Sequence, residues 1–270
     1  MQQLYRRPVA AAAASLAAYL LLAAPAALAQ DDVPRMRDGK PDLNGIWQAV
    51  GTAHWDLLDH APEPPLLYQM GAVGAVPGGR GVVQGNEIPY QPWAAEKKKE
   101  NYANRLTEDP EIKCYMPGVP RATYLPFPLQ IVQTERDIFI AYEFANADRK
   151  INMGEPTEFP YGTWMGWSNG HWEGDTLVVE VTGLNGLTWL DRAGNFLGEE
   201  ARVVERYTPL GRNHIRYEAT IEDPDVFTRP WTISLPLYRR VDENAQLVEF
   251  RCVEFAEELL YGEYRKVPTE

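Results

Sequence analysis

The chain has 270 residues, with 26 Lys and Arg against 38 Asp and Glu, for a formal net charge of −12. An acidic surface of this kind disfavours nucleic acid and anionic membranes as partners. The length suffices to bury the core of one large β domain, and eight Trp with fourteen Tyr furnish aromatic side chains for a core or a pocket.

Residues 1–29 read as a secretory leader. Two arginines precede the apolar run "VAAAAASLAAYLLLAAPA", and Ala27-Leu28-Ala29 supplies a small-x-small cleavage pattern. The run is too short for a membrane span, and no second apolar span follows. The expected product, residues 30–270, is a single periplasmic or secreted domain with a formal charge of −14 once Arg6 and Arg7 are gone. "DLNGIWQAV" reads as a first strand. Residues 51–110 are rich in Pro and Gly without a sustained period, which marks a surface excursion and a candidate lid. Within it "QPWAAEKKKENYANRL" is the one helix candidate, with Pro92 placed in its first turn.

From residue 121 the pattern is β. "PLQIVQT", "DIFIAYEFA", "RKINM", "TWMGWSN", "DTLVVEVTGL", "ARVVERYTP", "NHIRYEATIED", "WTISLPLYRRV" and "AQLVEFRCVEF" follow one another, separated by turn residues. The fold expected is mainly β, an antiparallel meander of about nine strands closing into a lipocalin-like barrel, with a sandwich as the alternative. Cys114 and Cys252 are the two cysteines. In an exported chain they are expected to form a disulfide; two buried thiols are the alternative.

Gly166-Trp167-Ser168-Asn169-Gly170 matches the G-x-S-x-G of serine hydrolases. A nucleophile elbow requires a helix after the serine, and here "NGHWEGDTLVVEV" continues as turns and strand. Asn169-Gly170 is instead expected to form a hairpin turn, with Ser168 uninvolved in catalysis.

The run "WMGWSNGHWEGDTLVVEVTGL…TWLDRAGNF…VVERYT…YEATIEDPDVFTRPW", with "CYMPGVPRATYLPFPLQI" upstream and "LYRRVDENAQLVEFRCVEF" downstream, resembles a largely uncharacterised family of secreted bacterial proteins over roughly residues 40–262. The resemblance brings no reaction with it. Its members often carry histidine where this chain has Leu197 and Arg202, so a proton-transfer group at either place would be lost here. Gly45-Ile46-Trp47 is similar to the lipocalin Gly-x-Trp, which implies a lumen able to hold a small hydrophobic ligand.

The candidate catalytic residues are His171, Asp191, Arg121 and Tyr142. His171 lies beside Glu173 and Asp175 and is a candidate proton shuttle, though a solvent-facing turn histidine reads the same way. Asp191 is a candidate base or a cap on its own loop amides. Arg121 is placed to clamp a carboxylate, enolate or phenolate, or else to sit in a buried ion pair. Tyr142 adds a hydroxyl. The candidate ligand-binding residues are Trp164, Trp167, Trp189, Tyr124 and His54. Trp164 and Trp167 are three apart and face opposite ways in an unbroken strand, unless a bulge at Gly166 re-aims one. His60 belongs to the excursion, and His214 is expected at a solvent-facing strand start. Histidine spacing gives no metal signature, and no glycine loop has a nucleotide-binding setting, so neither metal nor cofactor is expected.

The leading reading is a cofactor-independent lyase, isomerase or hydrolase acting by acid–base catalysis on a hydrophobic or aromatic molecule in the barrel cavity. In it His171 or Asp191 is the base, and Arg121 or a tyrosine the electrophilic group. The alternative is a non-catalytic periplasmic binder or carrier of hydrophobic or sugar ligands. A structural role in the cell envelope is a third reading. The sequence assigns no oligomeric state.

Overall fold

Residues 33–65 and 75–256 are described by a computed structural model of the chain; the leader over residues 1–29 lies outside them. Nine strands close into a barrel in chain order: β1 (Gly45–Ala49), β2 (Leu129–Gln133), β3 (Ile138–Tyr142), β4 (Asp148–Asn152), β5 (Trp167–Glu173), β6 (Thr176–Thr182), β7 (Arg202–Pro209), β8 (His214–Glu222) and β9 (Trp231–Arg239). The alternation read from the sequence sets the inside. Leu177, Val179 and Val181 of β6, Val203 and Tyr207 of β7, and Ile215, Tyr217, Ala219 and Ile221 of β8 are all fully buried. Each such large side chain contributes about 1.5–3 kcal/mol on burial.

Every neighbouring pair is antiparallel except β4 and β5, which run parallel through only Ile151↔Ser168 and Asn152↔Asn169. The expected meander is therefore interrupted by a crossover over residues 153–166. Closure also differs from expectation. "AQLVEFRCVEF" was the natural ninth strand of the β-rich half, but among the described residues 245–255 are not a strand. The closing strand is β1, which takes both free edges, pairing Gly45↔Ile131 with β2 and Ala49↔Leu237 with β9. With those edges taken, the alternating C-terminal segment has nothing to pair with.

β9 is longer than β1, and its exposed remainder is covered by the excursion. Gln84 N donates to Thr232 O, and Ser234 N donates to Val82 O. That contact satisfies a sheet edge which would otherwise be open to another chain. Ala53, Leu57, Val83, Ile88 and Ala94 of the excursion join the same core cluster as the strands. Helix α1 (Pro92–Ala103) begins at Pro92 as expected, followed by the single turns α2 (Arg105–Glu108) and α3 (Arg121–Tyr124).

Cys114 and Cys252 are joined by a disulfide, with Cα atoms 5.7 Å apart. The C-terminal segment is further held where Phe250 packs on Phe127 and Phe144, at ring distances of 5.1 and 4.7 Å, and where Val248 N donates to Glu143 Oε2.

The G-x-S-x-G stretch forms neither an elbow nor the expected turn. Residues 167–173 are continuous strand, and the reversal comes at Gly174, whose φ is +58°. Gly170 is required for space rather than for turning: a Cβ there would lie 2.5 Å from Ile151 Cγ2 and 2.8 Å from Met153 Sδ. Asn169 anchors the crossover, its Oδ1 accepting from Thr157 N at 3.0 Å and its Nδ2 donating to Thr157 O at 2.9 Å.

Candidate functional site

The loop over residues 188–196 meets the excursion in a buried polar cluster that gathers four of the candidate residues. Arg121, on α3, is 1% exposed and grips Asp109 with both terminal nitrogens, at 2.8 and 3.0 Å; Nη2 also reaches Glu111 at 2.6 Å. Arg192 closes on the other side of Glu111, at 2.6 and 3.0 Å, and stacks 4.4 Å from Trp55. Burial raises the Glu111 pKa, but the Arg121 and Arg192 guanidiniums outweigh it and bring the group down to about 2. The anion-clamping face of Arg121 is thus occupied by the protein's own carboxylates, the buried ion pair that its sequence position also allowed.

Asp191 is fully buried. Its Oδ1 accepts from Asn195 N at 3.1 Å; its Oδ2 accepts from Leu57 N at 2.9 Å and Asn195 Nδ2 at 2.5 Å. It caps its own loop and ties that loop to the excursion. Burial, and then the nearby Asp56 charge, raise its pKa to about 7 against these hydrogen bonds. His54, also buried, leaves Nδ1 without a partner, while its carbonyl accepts from Arg192 N. Burial, and then the Arg192 charge, lower its pKa to about 4. Tyr124 donates to Leu190 O at 2.7 Å and Tyr90 to Asn195 Oδ1 at 2.9 Å, which completes the stitching.

In front of this cluster, between α1 and the 186–200 loop, lies an open cleft of about 1000 Å³. Its aromatic walls are Trp93, Tyr115, Trp164, Trp189 and Phe196. Tyr115 and Trp164 pack at 5.4 Å, and Trp93 Nε1 is anchored to Asp225 O at 3.0 Å. Five carboxylates line the cleft (Glu100, Glu108, Glu199, Glu200 and Asp225) against Lys97 and Lys113. Trp164 and Trp189 therefore line the same cleft, but without Trp167 and outside the barrel lumen. Leu197 lines this cleft, and Arg202 pairs with Glu180 and Glu222.

The remaining candidates lie apart. His171 is mid-strand in β5, faces solvent and sits 3.2 Å from Glu173 Oε1; it is not in a turn. His214 begins β8 and is exposed, as expected. Gly166, at φ +65°, redirects the chain between Trp164 and Trp167, so the unbroken-strand geometry does not apply. Trp167 stacks on Phe159 at 5.4 Å rather than joining Trp189. Tyr142 points into the lumen.

That lumen holds a second buried network. Arg149 of β4 pairs with Glu205 of β7 at 2.6 Å, and Glu205 Oε1 accepts from Tyr207 at 3.0 Å and Tyr217 at 2.7 Å. Arg149 Nη2 also donates to Tyr207. Arg149 Nε, Tyr142 OH and Thr123 Oγ1 have no partner there. Sequence reasoning passed over Arg149 and Glu205, although a signal existed. Glu205 shares the inward parity of Val203 and Tyr207, where every other side chain is apolar or aromatic.

Among the described residues, no group of three or more His, Cys, Asp or Glu is placed to hold a metal ion. No helix among them is long and apolar enough to cross a membrane. No protein-family model matches the chain, and no curated protein is similar to it.

Proposed function

We propose that the chain is an exported small-molecule binding protein whose ligand lies in the aromatic cleft. The observation behind this reading is the set of five aromatic side chains around about 1000 Å³, interleaved with carboxylates and Asn101. Flat apolar faces stack on such rings, and hydroxyl groups donate to the carboxylates between them. A neutral or basic saccharide has both features, whereas the acidic lining opposes an anionic ligand. The disulfide supports action outside the cytoplasm. None of the groups proposed from the sequence for proton transfer lines the cleft.

One observation favours the catalytic reading. Asp191, two residues along from Trp189, has its pKa raised to about 7 without a cationic partner, a value suited to an acid–base group acting on a hydrophobic or aromatic substrate. Native mass spectrometry of the protein purified from its own host separates the two. Binding predicts a copurified ligand that is released unchanged and is lost in Trp93→Ala. A ligand that is converted on standing supports catalysis, and a ligand retained in full by Trp93→Ala removes the cleft from consideration.

A further inference from the structure

We infer that the β4–β5 seam is a second ligand site, sharing Trp164 alone with the cleft, for a planar, uncharged ring system bearing a carbonyl or phenol oxygen. The parallel pairing of β4 and β5 is confined to Ile151↔Ser168 and Asn152↔Asn169. Ahead of it, Asp148–Lys150 and Met165–Trp167 line one pocket. Gly166 lets the chain pass close to β6, where a Cβ would strike Val181 Cγ1 at 2.7 Å and Thr182 O at 2.8 Å. The pocket measures about 720 Å³ in the barrel wall, within the range of small-molecule sites.

The chemistry of the walls defines the occupant. Phe159 and Trp167 stand stacked at 5.4 Å with planes 12° apart, and Phe159 remains 43% exposed. Trp164, Met116 and Met165 extend the apolar lining. Such a surface takes a flat ring by stacking and by sulfur–aromatic contact. The inner wall includes Arg149 and Ser168, both buried. Arg149 is 6% exposed, and its Nε has no acceptor among the described residues, although Nη1 and Nη2 are engaged by Ser168, Tyr207 and Glu205. A buried donor without an acceptor is costly, and a ligand oxygen relieves that cost. The ligand carries no net charge: the Asp148 carboxylate of the lining and the Glu205–Arg149 and Asp137–Lys150 pairs oppose an anion, and the unpartnered Arg149 Nε–H opposes a cation. An extra anion would compete with Glu205 for the same guanidinium.

Equilibrium dialysis of the mature chain with flavone, a neutral planar ketone, and with 2-phenylnaphthalene, a flat ring analogue lacking the carbonyl, tests this. Flavone should bind saturably and about tenfold more tightly than 2-phenylnaphthalene, the value of one hydrogen bond from a charged donor. Phe159→Ala, at an exposed position, should weaken flavone about tenfold, whereas Trp93→Ala in the cleft should leave it within twofold. Arg149→Lys, if it folds, should abolish the preference for flavone over 2-phenylnaphthalene. Absence of saturable binding, equal binding of the two compounds, or weakening by Trp93→Ala in place of Phe159→Ala would each overturn the assignment. Because the cleft is read through Trp93 and the seam through Phe159, failure of one reading is distinguishable from failure of the other.

Discussion

Two groups behind the cleft titrate in opposite senses, and their opposition should be visible in stability. The Asp191 carboxyl is raised from 3.8 to about 7, by burial first and Asp56 second. Between those pH values the folded chain holds a proton that the unfolded chain has released. Stability therefore falls as pH rises, by about 4 kcal/mol at 1.36 kcal/mol per pH unit. His54 is lowered from 6.5 to about 4, by burial first and Arg192 second. There the unfolded chain holds the proton, so stability rises with pH, by about 3 kcal/mol over the same interval. The slopes nearly cancel from pH 4 to 6.5, and only Asp191 acts from there to 7. Asp191→Asn removes one of them. It disturbs three hydrogen bonds, a loss that does not vary with pH, and it should also expose the His54 slope. Its urea midpoint, relative to the parent, should climb by about 1 M or more between pH 4 and 6.5, for a urea m-value of about 1–3 kcal/mol/M. Groups common to both proteins, Glu111 among them, drop out of the difference. Parallel parent and variant curves over pH 4–7 would show that the carboxyl titrates in its ordinary range, and the opposition would not exist.

The lumen ion pair allows a sharper test of packing than of charge. Glu205→Gln leaves Arg149 buried without its counter-ion and should cost about 3–5 kcal/mol in urea unfolding, whereas Arg149→Met with Glu205→Leu should regain much of that loss; equal losses for single and double variants would refute the pairing. Replacing Cys114 and Cys252 by Ser opens a loop with a sequence separation of 138 and should cost up to about 5 kcal/mol in the loop-entropy account, with the far-ultraviolet spectrum of the barrel retained. An unchanged urea midpoint would show that the bridge does not constrain the unfolded chain.

Much of this fold was legible where a single local rule decided the outcome. Alternation in "DTLVVEVTGL" fixed the inward set of β6, Pro92 marked the start of α1, and Gly174 marked a reversal. Legibility ended where the outcome depended on which edge was free. "AQLVEFRCVEF" alternates as well as any true strand, but β1 had already occupied the edge of β9. Asn169-Gly170 failed as a turn because Gly170 answers to the side chains of Ile151 and Met153 from a strand far away in sequence, which no dipeptide rule registers. The site shows the same division. Trp164 and Trp189 line one cleft without Trp167, and Asp191 caps its loop. That Arg121 would be consumed by Asp109 and Glu111 depended on a segment read only as an irregular excursion.

Closure by β1 has a consequence for how the chain is made. Gly45–Ala49 leaves the ribosome early, while its partner Leu237–Arg239 comes almost two hundred positions later, so the contact joining them is among the most distant in the molecule. Contacts of that reach form slowly, because the intervening loop must be ordered first. Until then the nascent polypeptide holds a first strand with at most its β2 edge paired, and an unfinished sheet. The cylinder can close only once Leu237–Arg239 has been made.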